Sequence, residues 1–319
     1  MTRVAASSPA AARRLRFLDA ARALAVVAML VANLVNVFAP DRPHWLAHNL
    51  GDELLPLDLA APTFQFLVGV SLVLFLERRG RQTEARRARW LAARRFLALV
   101  VLGIVLDGIQ AQRVGLRWGV LQTLGTAGVV AVALSELPEA LIVAVAVLIT
   151  ATHYGPGNNE VHRSLVDCLP FVPITLMGYV VGRPLAKGEI ANYERRAVTV
   201  ALGALALGVA LRIAGIPFNK VTGSSSFVLL ATAASASLVA ALSRLETRGW
   251  RFPDFLIQLG ASALTAWVLQ YVLVYYPIAY VGHSPALSGI GGLVEVALCV
   301  VALAVITLAL ARRGIRVPV

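Results

Sequence analysis

Long apolar stretches alternate with short polar connections along the chain. We distinguish ten such stretches, each of about 15 to 25 residues, and a helix needs roughly 20 to cross about 30 Å of hydrocarbon. The stretches are continuous and do not alternate as barrel strands would. The pattern predicts an all-α, polytopic transmembrane bundle of about ten spans, as a single domain over residues 1–319. The stretches centre near Ala28, Val68, Val101, Val129, Val145, Leu176, Gly203, Ala234, Ala266 and Ala302.

Composition supports a membrane protein, and the distribution of charge predicts its orientation. The chain is 58% hydrophobic and only 14% charged, whereas soluble domains average about 25% charged residues. The net charge of +12 would suggest nucleic acid in a soluble protein. Here most basic residues fall on alternate connections, which predicts a multi-pass protein in the cell membrane with both termini cytoplasmic and no nucleic-acid partner. Six of the 29 Lys and Arg lie on the other side: Arg42, Arg113, Arg117, Arg163, Arg212 and Lys220.

Polar residues within the spans gather on one side of the predicted membrane. Such groups are costly in hydrocarbon and usually face the bundle interior. The predicted inner half holds far fewer such residues, Asp19 and Arg22 and little else, so the sequence predicts a polar cavity near the extracytoplasmic face. The outer set is Asn33, Asn36, Asp58, Gln65, Asp107, Arg117, Gln122, Asp167, Arg212, Asn219, Lys220, Ser224 to Ser226 and Glu295.

Purely structural roles are also compatible with these residues. Asn and Gln side chains in spans often only bond neighbouring helices. Asp58 is a candidate helix N-cap, and Asp107 with Arg117 is a candidate ion pair across a short loop. The two cysteines provide neither a disulfide framework nor a metal-ligand spacing, so no metal site is expected. Solvated loop positions account for His44, His153, His162 and His283.

Three segments together resemble the heparan-α-glucosaminide N-acetyltransferase-like family of transmembrane acetyltransferases. They are "RFLDAARALAVVAMLVANL", "HNLGDELLPLDLAAPTFQFLVGVSL" and "LRWGVLQTLG". Weaker similarities are "FNKVTGSSSFVLL", and "LGASALTAWVLQYVL", which resembles a helix of the related YeiB-type membrane proteins. Residues that match the motifs include Asp19, Arg22, Met29, Asn33, His48, Asp58, Pro62, Gly69, Arg117, Gly119, Gln122 and Gly125.

The resemblance implies an enzyme that moves an acetyl group from cytoplasmic acetyl-CoA to an amino sugar on the far side of the membrane. The family's active-site histidine falls on His48, and its first-helix asparagine falls on Asn33. Three departures bear on the activity. Ala23 replaces a glycine, Leu50–Asp52 replaces Trp-Asn-Gly, and Thr123 replaces an arginine.

Residue chemistry fits this activity. N-acetylation needs a base or an acyl-carrying nucleophile, and histidine serves as either near neutral pH. Asp58 is the expected partner of the imidazole of His48. Asn33 or Gln122 is the expected hydrogen-bond donor to the oxyanion.

Basic residues are the predicted binding groups. Arg117 and Lys220, with Asn219 beside Lys220, are expected to bind a phosphate or an acidic sugar. Arg22 and the Arg94–Arg95 end of the basic connection are expected at the mouth through which acetyl-CoA enters.

Two other functions compete with acyl transfer. A transporter or flippase for a small anionic or sugar-bearing solute would use intramembrane Asp58, Asp107 and Glu295 as ion sites. A non-catalytic scaffold is the third interpretation, to which the missing Trp-Asn-Gly lends some support. The expected partners are acetyl-CoA, a sugar or glycolipid acceptor and the bilayer, and a homodimer is left open.

Overall fold

A computed structural model describes residues 15–47, 51–113, 119–152, 166–282 and 289–317. Within these ranges the chain is helical, without a strand. Twelve α-helices are described: α1 (Arg16–Phe38), α2 (Ala60–Gly80), α3 (Ala85–Gln110), α4 (Val120–Leu134), α5 (Glu139–Thr152), α6 (Val172–Ala186), α7 (Ile190–Ile213), α8 (Ser225–Thr247), α9 (Asp254–Ala261), α10 (Ala263–Gln270), α11 (Tyr276–Val281) and α12 (Ile290–Arg312).

Short irregular helices extend or link several of these elements. The 3₁₀ turns Pro56–Leu59 and Val166–Phe171 lead directly into α2 and α6. A π-helical turn, Tyr271–Tyr275, joins α10 to α11, and π-turns are frequent at functional sites. Another 3₁₀ turn, His44–Leu46, lies in the connection after α1.

Each of the ten predicted centres falls in a helix, but the count of ten spans is not confirmed. Seven described helical segments are long and apolar enough to cross a membrane. Helices α4 and α5 have 15 and 14 residues, roughly 22 Å at 1.5 Å per residue. Helix α3 is long, but Arg94, Arg95 and Asp107 interrupt its apolar stretch. The seven segments are Arg16–Phe38, Pro56–Gly80, Val166–Ala186, Ile190–Ile213, Ser225–Thr247, Ala263–Val281 and Ile290–Arg312.

Helices α1, α2, α6 and α8 form the centre of the bundle, and α7 and α12 are far more exposed. Small residues bring α2 and α6 into backbone contact. A Cβ on Gly69 would meet the carbonyl oxygen of Thr175 and the amide nitrogen of Tyr179, and a Cβ on Gly178 would meet the carbonyl of Phe66. Small residues at such interfaces are typical of packing between membrane helices, where no hydrophobic effect drives association.

The two ends of the bundle differ in charge. At the end we call lower, short connections are held by exposed ion pairs such as Arg16–Asp254 and the contact of Arg89 with Glu136. These connections are the ones predicted to be cytoplasmic. At the opposite, upper end, Asp58 precedes α2 and pairs with Lys220 in the connection before α8.

Candidate active site

Two cavities lie within the bundle and share part of their walls. The upper cavity has a volume of about 400 Å³ and the lower cavity about 380 Å³, each within the roughly 300–1,000 Å³ typical of ligand pockets. Met29, Leu124 and Trp267 line both cavities. These three side chains define what we call the junction.

A buried ion pair lies in the upper cavity. The Asp58 carboxylate is fully buried and its Oδ1 lies 2.5 Å from Lys220 Nζ, whose side chain is 22% exposed. The second oxygen, Oδ2, accepts the backbone N–H of Leu55 at 3.1 Å. Asp58 therefore combines the capping interaction expected of an acid at a helix start with an ion pair to a residue 162 positions away.

The connection that carries Lys220 is ordered by its neighbours. Asn219 Nδ2 donates to Asp52 Oδ1 at 2.9 Å, and Asn219 Oδ1 accepts the backbone N–H of Thr222. Ser224 caps α8 through its hydroxyl, which also accepts the Asn219 N–H. Asn219 does not line the upper cavity, whereas Lys220 does. Asn219 thus fixes the backbone beside the lysine.

Uncharged amides complete the polar wall of the upper cavity. Asn33 Nδ2 donates to Gln270 Oε1 at 3.3 Å, which joins α1 to α10. Gln65 is only 3% exposed, and its Nε2 has no hydrogen-bond partner among the described residues. A buried amide N–H without an acceptor is costly, so Gln65 is suited to binding a polar ligand.

The lower cavity is mainly apolar, with arginines in its wall. Arg22 donates to Asp19 Oδ1 at 2.6 Å and to the Ser71 hydroxyl at 2.5 Å. The Arg95 guanidinium lies over the Phe75 ring, 4.6 Å from its centroid. Arg22, Ser71 and Arg95 all line this cavity. Two guanidinium groups beside one carboxylate leave this region net positive.

One side chain of the junction carries a polar N–H group without a hydrogen-bond acceptor among the described residues. Trp267 is 6% exposed, and its indole Nε1–H is buried without a hydrogen-bond partner in the described parts of the chain. Buried Trp N–H groups usually find a partner. The ring packs against Tyr271, with centroids 6.1 Å apart.

Three polar side chains join α3, α4 and the π-turn beside the junction. Gln122 Nε2 donates to Asp107 Oδ2 and the Tyr271 hydroxyl donates to Asp107 Oδ1, both at 2.7 Å. Gly103 and Gly119 leave room for this cluster, because a Cβ at either would collide with Gln122 or Asp107. Gln122 is fully buried and lines neither cavity. The cluster braces the helices around the junction.

The structure brings together some of the predicted site residues and separates others. Asn33, Asp58 and Lys220 line the upper cavity, and Arg22 lines the lower one. Gln122 and Asn219 lie outside both. His48 and Arg117 lie outside the described residues, so their predicted roles stay predictions.

Sequence reasoning overlooked the junction. Trp267 lies in an apolar stretch, where an aromatic residue is indistinguishable from a core or lipid-facing one. Only the sharing of walls between the cavities singles it out. No group of three or more His, Cys, Asp or Glu side chains is placed to hold a metal ion in the described ranges.

The apolar helices fit an integral membrane protein, and the two cavities lie between helices of its bundle. Residues 14–213 match the family model described as "Heparan-alpha-glucosaminide N-acetyltransferase, catalytic". The match covers well over half of the chain, so the chain belongs to this family and is an acetyltransferase-type membrane enzyme. It confirms the resemblance predicted from the three sequence motifs. No curated protein matches the chain.

Proposed function

We propose that this protein transfers an acetyl group from cytoplasmic acetyl-CoA to the amino group of a sugar at the extracytoplasmic face. The observation that carries the proposal is the pair of cavities that share Met29, Leu124 and Trp267 in their walls. A donor in one cavity and an acceptor in the other would meet at the junction. The family membership and the one-sided basic connections support this direction of transfer.

The lower cavity suits the donor. Acetyl-CoA is a thin, largely uncharged arm with the thioester at one end and phosphates at the other. The apolar wall suits the arm. Arg22 and Arg95 suit the phosphates, since one guanidinium group can donate two parallel hydrogen bonds to two phosphate oxygens.

The upper cavity suits a polar acceptor. Asn33, Gln65 and Lys220 present N–H groups, and the Asp58 carboxylate accepts hydrogen bonds. Asp52, four residues after His48 in the sequence, is tied to Asn219 next to Lys220. This tie supports a role for His48 at the same cavity.

The chemistry needs one general base. The acceptor nitrogen attacks the acetyl carbon, a C–N bond forms, and the C–S bond breaks with its electron pair leaving on sulfur. His48 takes the proton that the nitrogen loses, and the thiolate of CoA finally receives it. In the two-step alternative the His48 imidazole attacks first and passes the acetyl group on. Both routes use the same residues.

Thermal stabilisation of the detergent-purified protein by acetyl-CoA tests the donor. A ligand at about 100 times its Kd raises the free energy of unfolding by roughly 2.7 kcal/mol. We expect acetyl-CoA to raise the Tm and acetate to leave the Tm unchanged. No shift at millimolar acetyl-CoA would contradict the proposal.

Incorporation of radiolabelled acetyl groups into a panel of amino sugars and glycolipids then identifies the acceptor. His48→Ala is the variant expected to keep the acetyl-CoA shift and lose transfer. Equal transfer by wild type and His48→Ala would refute the role of the histidine.

A further inference from the structure

The junction holds a hydrogen-bond donor for which the described residues supply no acceptor. Trp267 lines both cavities and is 6% exposed, and its Nε1–H has no partner in the described parts of the chain. Such a group loses its hydrogen bond to water on burial, a cost of about 1–3 kcal/mol unless something else accepts it. A ligand bound in either cavity against this side chain would supply that acceptor.

The other junction side chains restrict what that ligand presents. Met29 and Leu124 are buried and apolar, so they offer no hydrogen bond and exclude water. The ligand group at this point must therefore be small and mostly apolar, with one oxygen that accepts a hydrogen bond. An acetyl group has this composition: a methyl group and a carbonyl oxygen.

We propose that Trp267 binds the carbonyl oxygen of the acetyl group through its indole N–H and thereby distinguishes acetyl-CoA from CoA. This inference rests on the proposed function, because it takes acetyl-CoA as the occupant of the lower cavity. It adds a residue whose role is to recognise the acyl group rather than the CoA carrier.

The same hydrogen bond favours transfer. When a nitrogen attacks the acetyl carbon, the carbonyl π electrons move onto the oxygen. The oxygen becomes an oxyanion and a stronger acceptor for the Trp267 N–H. The electrons return to form the carbonyl as the C–S bond breaks, and the thiolate leaves with its electron pair. The tryptophan keeps its proton throughout.

Binding of acetyl-CoA and CoA to wild type and Trp267→Phe tests the inference without any acceptor. Phenylalanine keeps an aromatic ring and removes the N–H. We expect wild type to prefer acetyl-CoA over CoA, and Trp267→Phe to lose about 3- to 10-fold of that preference, the range for one neutral hydrogen bond. The Kd for CoA should stay within about twofold. Isothermal titration calorimetry in detergent measures both.

Two control variants separate the N–H from shape and from aromatic content. Met29→Leu changes the junction without removing a donor, and should move both affinities together. Trp250→Phe removes an indole that is 62% exposed, and should change neither.

The outcomes distinguish this inference from the proposed function. Wild type that binds neither ligand overturns both. Wild type that binds the two ligands equally, or Trp267→Phe with an unchanged preference, overturns the role of Trp267 and leaves the donor site intact. If Trp267→Phe fails to fold, Trp267→His is measured in its place, because histidine can retain a ring N–H. Trp267→His should fold and should prefer acetyl-CoA over CoA. Folded Trp267→His without that preference overturns the inference.

Discussion

At the scale of single residues, the site is decided by which polar groups are buried together. Asp58 and Lys220 are 162 positions apart and form one buried pair, while Arg22 is held by Asp19 and Ser71 in the other cavity. Burial makes these groups sensitive to the loss of a partner, because the remaining charge has little water around it.

Removing Lys220 should destabilise the protein. In Lys220→Met the fully buried Asp58 carboxylate loses a cation that is itself 22% exposed, so the cost should approach but stay below the about 3–5 kcal/mol of a fully buried pair. Unfolding by detergent titration measures this change. The double variant Asp58→Asn with Lys220→Met should recover most of the stability, because no buried charge is left.

The matched control for that pair is Arg16→Met. Arg16 and Asp254 lie 2.6 Å apart, close to the 2.5 Å between Asp58 and Lys220, but their side chains are 40% and 79% exposed. An exposed pair is worth about 0–1 kcal/mol. Equal losses for Lys220→Met and Arg16→Met would contradict the importance of burial.

Arg22 and Arg95 provide a second test at this scale. If they bind the phosphates of acetyl-CoA, Arg22→Ala and Arg95→Ala should each weaken the binding of acetyl-CoA and of CoA by about 10- to 100-fold, since hydrogen bonds to charged groups are worth about 1.5–3 kcal/mol. The ratio of the two affinities should not change, unlike in Trp267→Phe. Unchanged affinities in both variants would rule out this basic mouth.

At the scale of elements, glycines fix how closely helices approach. Gly69 follows the family motif on α2, and the structure supplies its physical reason, because the backbone of α6 occupies the place of a side chain. Gly260 has the same role where α9 meets the carbonyl of Asp19. The cavities lie beside these contacts, so their dimensions depend on them.

Gly69→Ala should therefore lower stability. The added Cβ collides with the backbone at Thr175 and Tyr179, and overpacking costs about 1–3 kcal/mol. Gly203→Ala is the control, because nothing lies within 4 Å of its Cβ on exposed α7, and alanine favours helix by up to about 1 kcal/mol. The changes in Tm of the two variants should have opposite signs. An unchanged Tm for Gly69→Ala would show that α2 and α6 pack less tightly than the contacts of Gly69 imply.

At the scale of the whole molecule, the number of spans sets the side of each terminus. Ten spans place both termini on the same side, and seven place them on opposite sides. The short helices α4 and α5 are joined by residues 135–138 only, so they form a hairpin that either crosses the membrane twice or remains on one side.

Reporter fusions should place both termini in the cytoplasm. Positively charged connections favour that side, and α4 and α5 would then cross together with α3. A fluorescent reporter active only in the cytoplasm, and a phosphatase active only outside it, are fused in turn at residues 1 and 319. Opposite sides for the two ends would contradict the ten-span prediction.

The sequence by itself determined the class of membrane protein, the ten helical centres and the family, since hydropathy and short motifs are local properties. It also selected Asn33, Asp58, Lys220 and Arg22 as polar exceptions in apolar surroundings. Only the tertiary structure decided which of these residues share a cavity, and that Gln122 braces helices instead of lining one.

Trp267 shows why the rest needed three dimensions. An indole in an apolar helix carries no local signal, because core, lipid-facing and ligand-binding positions have the same hydropathy. Its significance comes from its place, with Met29 and Leu124, in the walls of both cavities and from a buried N–H that has no acceptor among the described residues. Both are properties of packing between distant segments, which the order of residues along the chain does not display.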